Sequence, residues 1–188
     1  MLELTRNGNA KEAYGLLLTH GLPSWGSMMD NGATTIWERW DGYVASRGFQ
    51  FQPMNSFNHV AFGAVAEWVW QTIVGLTPDE RRPGYKHFTV RPIPGGDLTS
   101  ARGNYNSIFG QIDIRWEIKE GQFFLNVTVP PNTSADIYLP TASLTQIKES
   151  GVPVSRAQGI SGVRTLSDSV LVQVGSGGYH FQAPMNQQ

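Results

Sequence analysis

The chain has 188 residues, 40% of them apolar and 15% charged, which places it among globular proteins with a real core and allows one ordinary domain or two small ones. A formal net charge of −1, with no basic run or basic-aromatic stripe, gives no reason to expect nucleic acid or an anionic membrane surface as a partner. The lack of cysteine excludes a disulfide framework, a thiolate nucleophile and a thiolate metal site, and no stretch approaches the roughly 18 apolar residues of a membrane span. The first residues lack the basic start and apolar run of a secretory signal, which favours a cytoplasmic location unless a signal lies upstream of Met1.

In chain order, Asn9 with Glu12 forms a capping-box-like start, and Ala13, Leu16 and Leu17 follow at helical spacing until Gly21 and Pro23 end the helix. Asn31–Gly42 is irregular and crowded, with Glu38 between Trp37 and Trp40. A second helix is predicted from the N-cap Ser56 to Gly75. Phe57, Val60, Ala61, Ala64, Val65, Trp68, Val69 and Thr72 form one stripe, and Phe62, Ala66, Trp70 and Val74 the other. A helix apolar on both faces needs neighbours, so it is expected to pack on segments missing from this chain, on the β-region or on another copy of the chain. Glu67, set within this helix, is expected to have a buried partner.

The composition changes near residue 80. Five of the six tryptophans precede it, and Thr77–Gly84 reads as a charged, proline-flanked linker or helix-to-strand transition. Beyond it, strands are predicted at Lys86–Pro92, Gly110–Glu117, Gln122–Val129, Ala135–Leu139, Val170–Val174 and Tyr179–Gln182, with Phe124 or its neighbours facing Ile112, Ile114 and Trp116. Gly175–Gly178 reads as a hairpin turn. The expected architecture is α+β, with helices in residues 1–80 and an antiparallel two-sheet β-sandwich in residues 81–188.

A carboxylate between indoles is how a sugar site looks: the aromatic faces take the C–H face of a pyranose and the acid takes a proton from water. The rival reading of Trp37–Trp40 is core anchoring, with Glu38 and Arg39 solvated or paired together; tryptophans, Trp25 included, are more often core than ligand contacts. His20, His59, His87 and His180 are dispersed without metal-ligand spacing, and no Gly-x-x-x-x-Gly-Lys, Gly-x-Ser-x-Gly or His-Glu-x-x-His motif occurs, so neither metal nor cofactor is implied.

The words Gly32 to Gly42, Ser56-Phe-Asn-His-Val-Ala-Phe-Gly63, Glu67-Trp68, Gly75-Leu, Pro83-Gly-Tyr-Lys86, Arg91-Pro-Ile-Pro-Gly-Gly96 and Val127-Thr-Val-Pro-Pro-Asn-Thr133 together resemble the C-terminal end of bacterial α-L-rhamnosidases. The resemblance implies the last helices of an (α/α)6 catalytic barrel followed by the closing β-sandwich. It also implies hydrolysis of terminal α-L-rhamnose from glycosides or oligosaccharides with inversion. By the same likeness Glu38 is the general base and His59 a sugar contact, with Trp37, Trp40 and Trp25 as platform or wall. The family's general acid lies in an acidic motif with no counterpart here, so the chain alone is expected to be inactive and to need the missing N-terminal part of the barrel as partner. The alternative from another class is a non-catalytic carbohydrate-binding or structural sandwich module, for which Tyr105, Phe109 and Tyr138 are the surface aromatics.

Overall fold

A computed structural model describes residues 1–51 and 53–185, and these divide into two compact units, one from residues 1–68 with 95–97 and one from residues 69–94 with 98–185. The first unit contains the helices α1 (Leu2–Arg6), α2 (Ala10–Leu18) and α3 (Trp25–Asp30), the short pair β1 (Tyr43–Val44) and β2 (Gly48–Phe49), and the helices α4 (Val60–Gly63) and α5 (Val65–Trp68). Helix α2 follows the predicted spacing, but the Asn9 side chain donates back to the Asn7 carbonyl at 3.3 Å instead of capping the helix. Helix α3 was not predicted, because its six residues carry no stripe; its start is set by Ser24, whose Oγ accepts the Ser27 amide at 2.9 Å.

The helix predicted from Ser56 starts later, at Val60. Ser56 is not its cap: its carbonyl accepts the Glu38 amide at 2.8 Å, the chain bends at residues 57 and 58, and His59 is extended. The predicted helix is also broken, into α4, α5 and a π-helical turn, Val69–Val74, that opens the second unit. Its early residues are not enclosed: Val60 is 82% exposed. Glu67 lies at the surface.

In the second unit the strands are β3 (Leu76–Pro78), β4 (His87–Val90), β5 (Ser100–Ser107), β6 (Gly110–Lys119), β7 (Gln122–Val129), β8 (Ser134–Leu139), β9 (Lys148–Glu149), β10 (Val152–Pro153), β11 (Ile160–Thr165), β12 (Val170–Val174) and β13 (Gly177–Pro184). They form a six-stranded sheet ordered β10-β9-β13-β7-β6-β5 and a five-stranded sheet ordered β11-β12-β8-β4-β3. The pairings are antiparallel except β4 with β8. The chain is thus α+β with a β-sandwich. The stretch Thr77–Gly84 contributes to β3 and to the loop that returns the chain to β4.

The sandwich interior follows from period-two alternation. Ile112, Ile114 and Trp116 on β6, Phe123, Leu125 and Val127 on β7, and Phe181 and Ala183 on β13 line one inner face. Phe88 and Val90 on β4, Ile137 and Leu139 on β8, and Val170 and Val172 on β12 line the other. Leu125 stands opposite Trp116, so Phe123 and Leu125, not Phe124, face the core. Gly175–Gly178 joins β12 to β13, which belong to different sheets, and is therefore a corner between layers, not a hairpin turn. Tyr179 fastens it, its hydroxyl lying 3.1 Å from both the Gly159 and Gly175 carbonyls.

The π-helical turn is locked to the sandwich. Trp116 Nε1 donates to the Ile73 carbonyl at 2.7 Å, and a Cβ on Gly103 of β5 would lie 2.8 Å from Val74 Cγ1 and 2.9 Å from Trp70. Gly75 ends the turn at φ +86°, where a Cβ would meet the Pro92 nitrogen at 2.2 Å. Gly75→Ala therefore meets both left-handed strain and a backbone clash, and is expected to destabilise the second unit by more than about 2 kcal/mol, read as a lower urea midpoint.

Tyr14 is 1% exposed, packed edge-on to Trp68 with centroids 5.0 Å apart, and burial pushes its phenol up from 10.0 to about 12. A raised folded-state pKa favours the protonated form, so its contribution is intact below pH 10.0 and is lost as pH rises through about 12. Tyr14→Phe is expected to flatten the alkaline fall in stability across that window, followed by tryptophan fluorescence.

Candidate active site

The first unit brings Glu38 and His59 onto one short antiparallel join. The Glu38 amide donates to the Ser56 carbonyl and the His59 amide to the Ile36 carbonyl, each at 2.8 Å, while the Thr35 hydroxyl donates to the Phe57 carbonyl. The Glu38 side chain completes the join by accepting the Ser56 amide on Oε2 at 2.8 Å. Its half-buried carboxylate is thus tied to backbone, not to its neighbour Arg39, whose Nε pairs with Asp41 Oδ1 at 3.2 Å.

His59 is the N-cap of α4, and its Nδ1 accepts the Ala61 amide at 3.2 Å. With Nδ1 accepting a backbone N–H, Nε2 is the ring nitrogen that carries a hydrogen and can donate. Nε2 is therefore a donor of fixed orientation.

The three tryptophans are placed differently. Trp37 is 4% exposed, with Tyr43 and Phe57 edge-on at 6.5 and 5.2 Å, so it anchors the segment that carries Glu38 and presents no open face. Trp40 stacks on Phe62 at 3.7 Å and meets Trp25 edge-on at 5.0 Å. Trp25 Nε1 donates to the Phe62 carbonyl at 3.1 Å. Trp25 and Trp40 remain half-buried and form an aromatic wall with Phe62. Trp25 also lines a cavity of about 420 Å³ with Phe62, Trp68 and Glu67.

Two participants carry no signal of their own in the sequence: the backbone amide of Ser56, which any residue but proline supplies, and Phe62, indistinguishable from a core residue of the predicted helix. Gly42 has a steric reason, since a Cβ there would stand 2.6 Å from Asn55 Oδ1, while Asn55 Nδ2 donates to the Gly42 carbonyl at 3.0 Å. Two other carboxylates of this unit have local partners, Glu3 with Arg6 and Asp30 with His20. Among the described residues no group of three or more His, Cys, Asp or Glu is arranged to hold a metal ion.

Comparison with known proteins places this geometry. The family described as bacterial alpha-L-rhamnosidase 6 hairpin glycosidase domain matches residues 1–73, and the bacterial alpha-L-rhamnosidase C-terminal domain matches residues 75–152. An α-L-rhamnosidase of Streptomyces avermitilis is 39% identical over 95% of this chain, and one of Formosa agariphila 37% identical over 96%. The crystal structure of the Streptomyces avermitilis enzyme complexed with L-rhamnose superposes with a TM-score of 0.85, covering 96% of this chain and 16% of that one. The α-L-rhamnosidase of Dictyoglumus thermophilum gives a TM-score of 0.83 at 31% identity, covering 96% of this chain and 19% of that one.

Fold and matches together define the class: a helical segment that matches the six-hairpin glycosidase domain model, followed by a β-sandwich whose first part matches the C-terminal domain model. The chain belongs to the bacterial α-L-rhamnosidase family. It spans 16% and 19% of the lengths of the two curated relatives.

His59→Ala removes the cap of α4 and is expected to cost about 1 kcal/mol, while His59→Asn, a good N-cap, restores it. Urea denaturation of the two variants separates the structural role of the ring from any role toward a ligand.

Proposed function

We propose that this chain supplies the general base and one sugar contact of an α-L-rhamnosidase that releases terminal, non-reducing α-L-rhamnose from glycosides with inversion. The observation that carries the reading is the Ser56 amide bound to Glu38 Oε2, on the same join that caps α4 with His59. One carboxylate oxygen is fixed by backbone, and the other, Oε1, is assigned to water. The complex of the Streptomyces avermitilis relative with L-rhamnose supports the choice of sugar.

In an inverting reaction Glu38 takes a proton from the water as its oxygen attacks the anomeric carbon. A second carboxyl group, roughly 6.5–9.5 Å from the base, protonates the departing glycosidic oxygen from the other side of the ring. His59 donates from Nε2 to a sugar hydroxyl, and Trp25, Trp40 and Phe62 wall the ring, while Trp37 positions Glu38 from beneath. The acid is assigned to sequence outside these 188 residues. The 1–80 helical and 81–188 sandwich division belongs to the same reading, with the sandwich as the domain that closes the enzyme.

Two measurements test this. The 188-residue chain is expected to release no chromophore from an aryl α-L-rhamnoside; turnover abolished by Glu38→Gln would instead place the acid inside the chain. In a full-length rhamnosidase carrying this sequence, Glu38→Gln is expected to lower kcat/KM by about a hundred- to ten-thousand-fold, and unchanged turnover would end the assignment.

A further inference from the structure

The parallel neighbours β4 and β8 end side by side at one edge of the sandwich, with Val90 opposite Ile137 in register. Beyond their ends lies a cleft of about 310 Å³, bounded by residues 91–94, residues 138–140, Asp168 and Ser169 of the loop between β11 and β12, and Met185. We propose that this cleft is a second carbohydrate site, taking one neutral pyranose through Arg91, Asp168 and Tyr138. It lies wholly within the second unit and does not depend on the role given to Glu38.

The polar side of the cleft is held in place before any ligand arrives. Arg91 stands over the Tyr138 ring, 5.1 Å from its centroid, and its Nη2 donates to Asp168 Oδ2 at 3.3 Å. The Arg91 amide is itself bound to the Gly75 carbonyl at 2.8 Å. Asp168 is steadied in turn by the buried Ser169, whose Oγ donates to its Oδ1 at 2.9 Å. A guanidinium with five donors beside a carboxylate offers donors and acceptors at the spacing of adjacent hydroxyls, each of which gives and takes a hydrogen bond.

The charges of Arg91 and Asp168 offset each other, so the rim has no net attraction for phosphate or carboxylate, and a neutral polyol is the matching chemistry. The remaining lining, the half-buried Tyr138 edge and Pro140 with the buried Pro92 and Pro94, is apolar and stiff, suited to the C–H groups of a sugar. The volume stands near the lower end of the roughly 300–1,000 Å³ typical of ligand pockets, which fits one ring better than a chain. Preorganisation lowers the ordering cost of binding, while the open, water-exposed ion pair (Arg91 is 47% exposed) keeps affinity modest.

The test is a titration of the ¹⁵N-labelled 188-residue chain with L-rhamnose, followed by amide chemical shifts. Saturable shifts are expected at Arg91, Ile93, Tyr138, Asp168 and Ser169, weakened about tenfold or more by R91M and unchanged by E38Q. Should R91M lose the amide dispersion of a folded chain, D168N is read in its place. No shift at these amides at saturating sugar, or shifts that the variant leaves intact, overturns the proposal. Shifts confined to residues around Glu38 and His59 also overturn it, while supporting the sugar site of the first unit.

Discussion

The join between residues 36–38 and 56–59 governs the helical unit. Two backbone hydrogen bonds and the Glu38 carboxylate accepting the Ser56 amide tie the second segment down, so the helix after it begins only where His59 can cap it. The same bonds fix the attitudes of the two polar side chains, because each belongs to a residue whose backbone is already paired. For the general base proposed above, a carboxylate oriented by a backbone amide loses little freedom when water arrives, which is what proton transfer in a defined direction requires. Trp37, buried against Tyr43 and Phe57, anchors the segment, and Trp25, Trp40 and Phe62 build a wall from rings that pack against one another.

The sandwich rests on a different constraint, the side-chain alternation of β6, β7 and β13 against β4, β8 and β12. Shifting any of these strands by one residue would turn its apolar set outward. Trp116 serves two layers at once: its ring fills the interior while its Nε1 satisfies the Ile73 carbonyl of the π-helical turn. Gly103 and Gly75 are the places where backbone must come close, and each stands where a side chain would collide. The parallel pairing of β4 with β8 leaves their ends together, and the cleft with Arg91, Tyr138 and Asp168 follows from that topology.

Legibility in the sequence varied with the source of each element's stability. Strands β7 and β12 were bounded correctly, since their apolar residues alternate or run unbroken between turn residues. Strand β5 escaped notice because its residues, Ser-Ala-Arg-Gly-Asn-Tyr-Asn-Ser, show no apolar alternation: at Gly103 its neighbours are Trp70 and Val74, not the main core. Strand β11 lies at a sheet edge, is largely exposed and contains a register shift between Ile160 and Gly162, so it too lacks the pattern. In the site, Glu38 stood out between two indoles, but nothing marked Trp37 as buried, Phe62 as the partner of Trp40 or the Ser56 amide as the carboxylate's ligand.

The sequence by itself determined the α+β composition, the alternating strands of the sandwich, the helix at Ala10–Leu18 and the family resemblance that singles out Glu38 and His59. Those features are local: periodicity, turn residues and motif words repeat their signal within a few residues of the element they specify. Only the tertiary structure decided that the second helix begins at Val60 behind its cap His59, that Gly175–Gly178 turns between sheets, and that Arg91, Tyr138 and Asp168 share a cleft. These depend on segments far apart in the chain, joined through backbone groups that every residue carries, and such pairings leave no mark on residue identity.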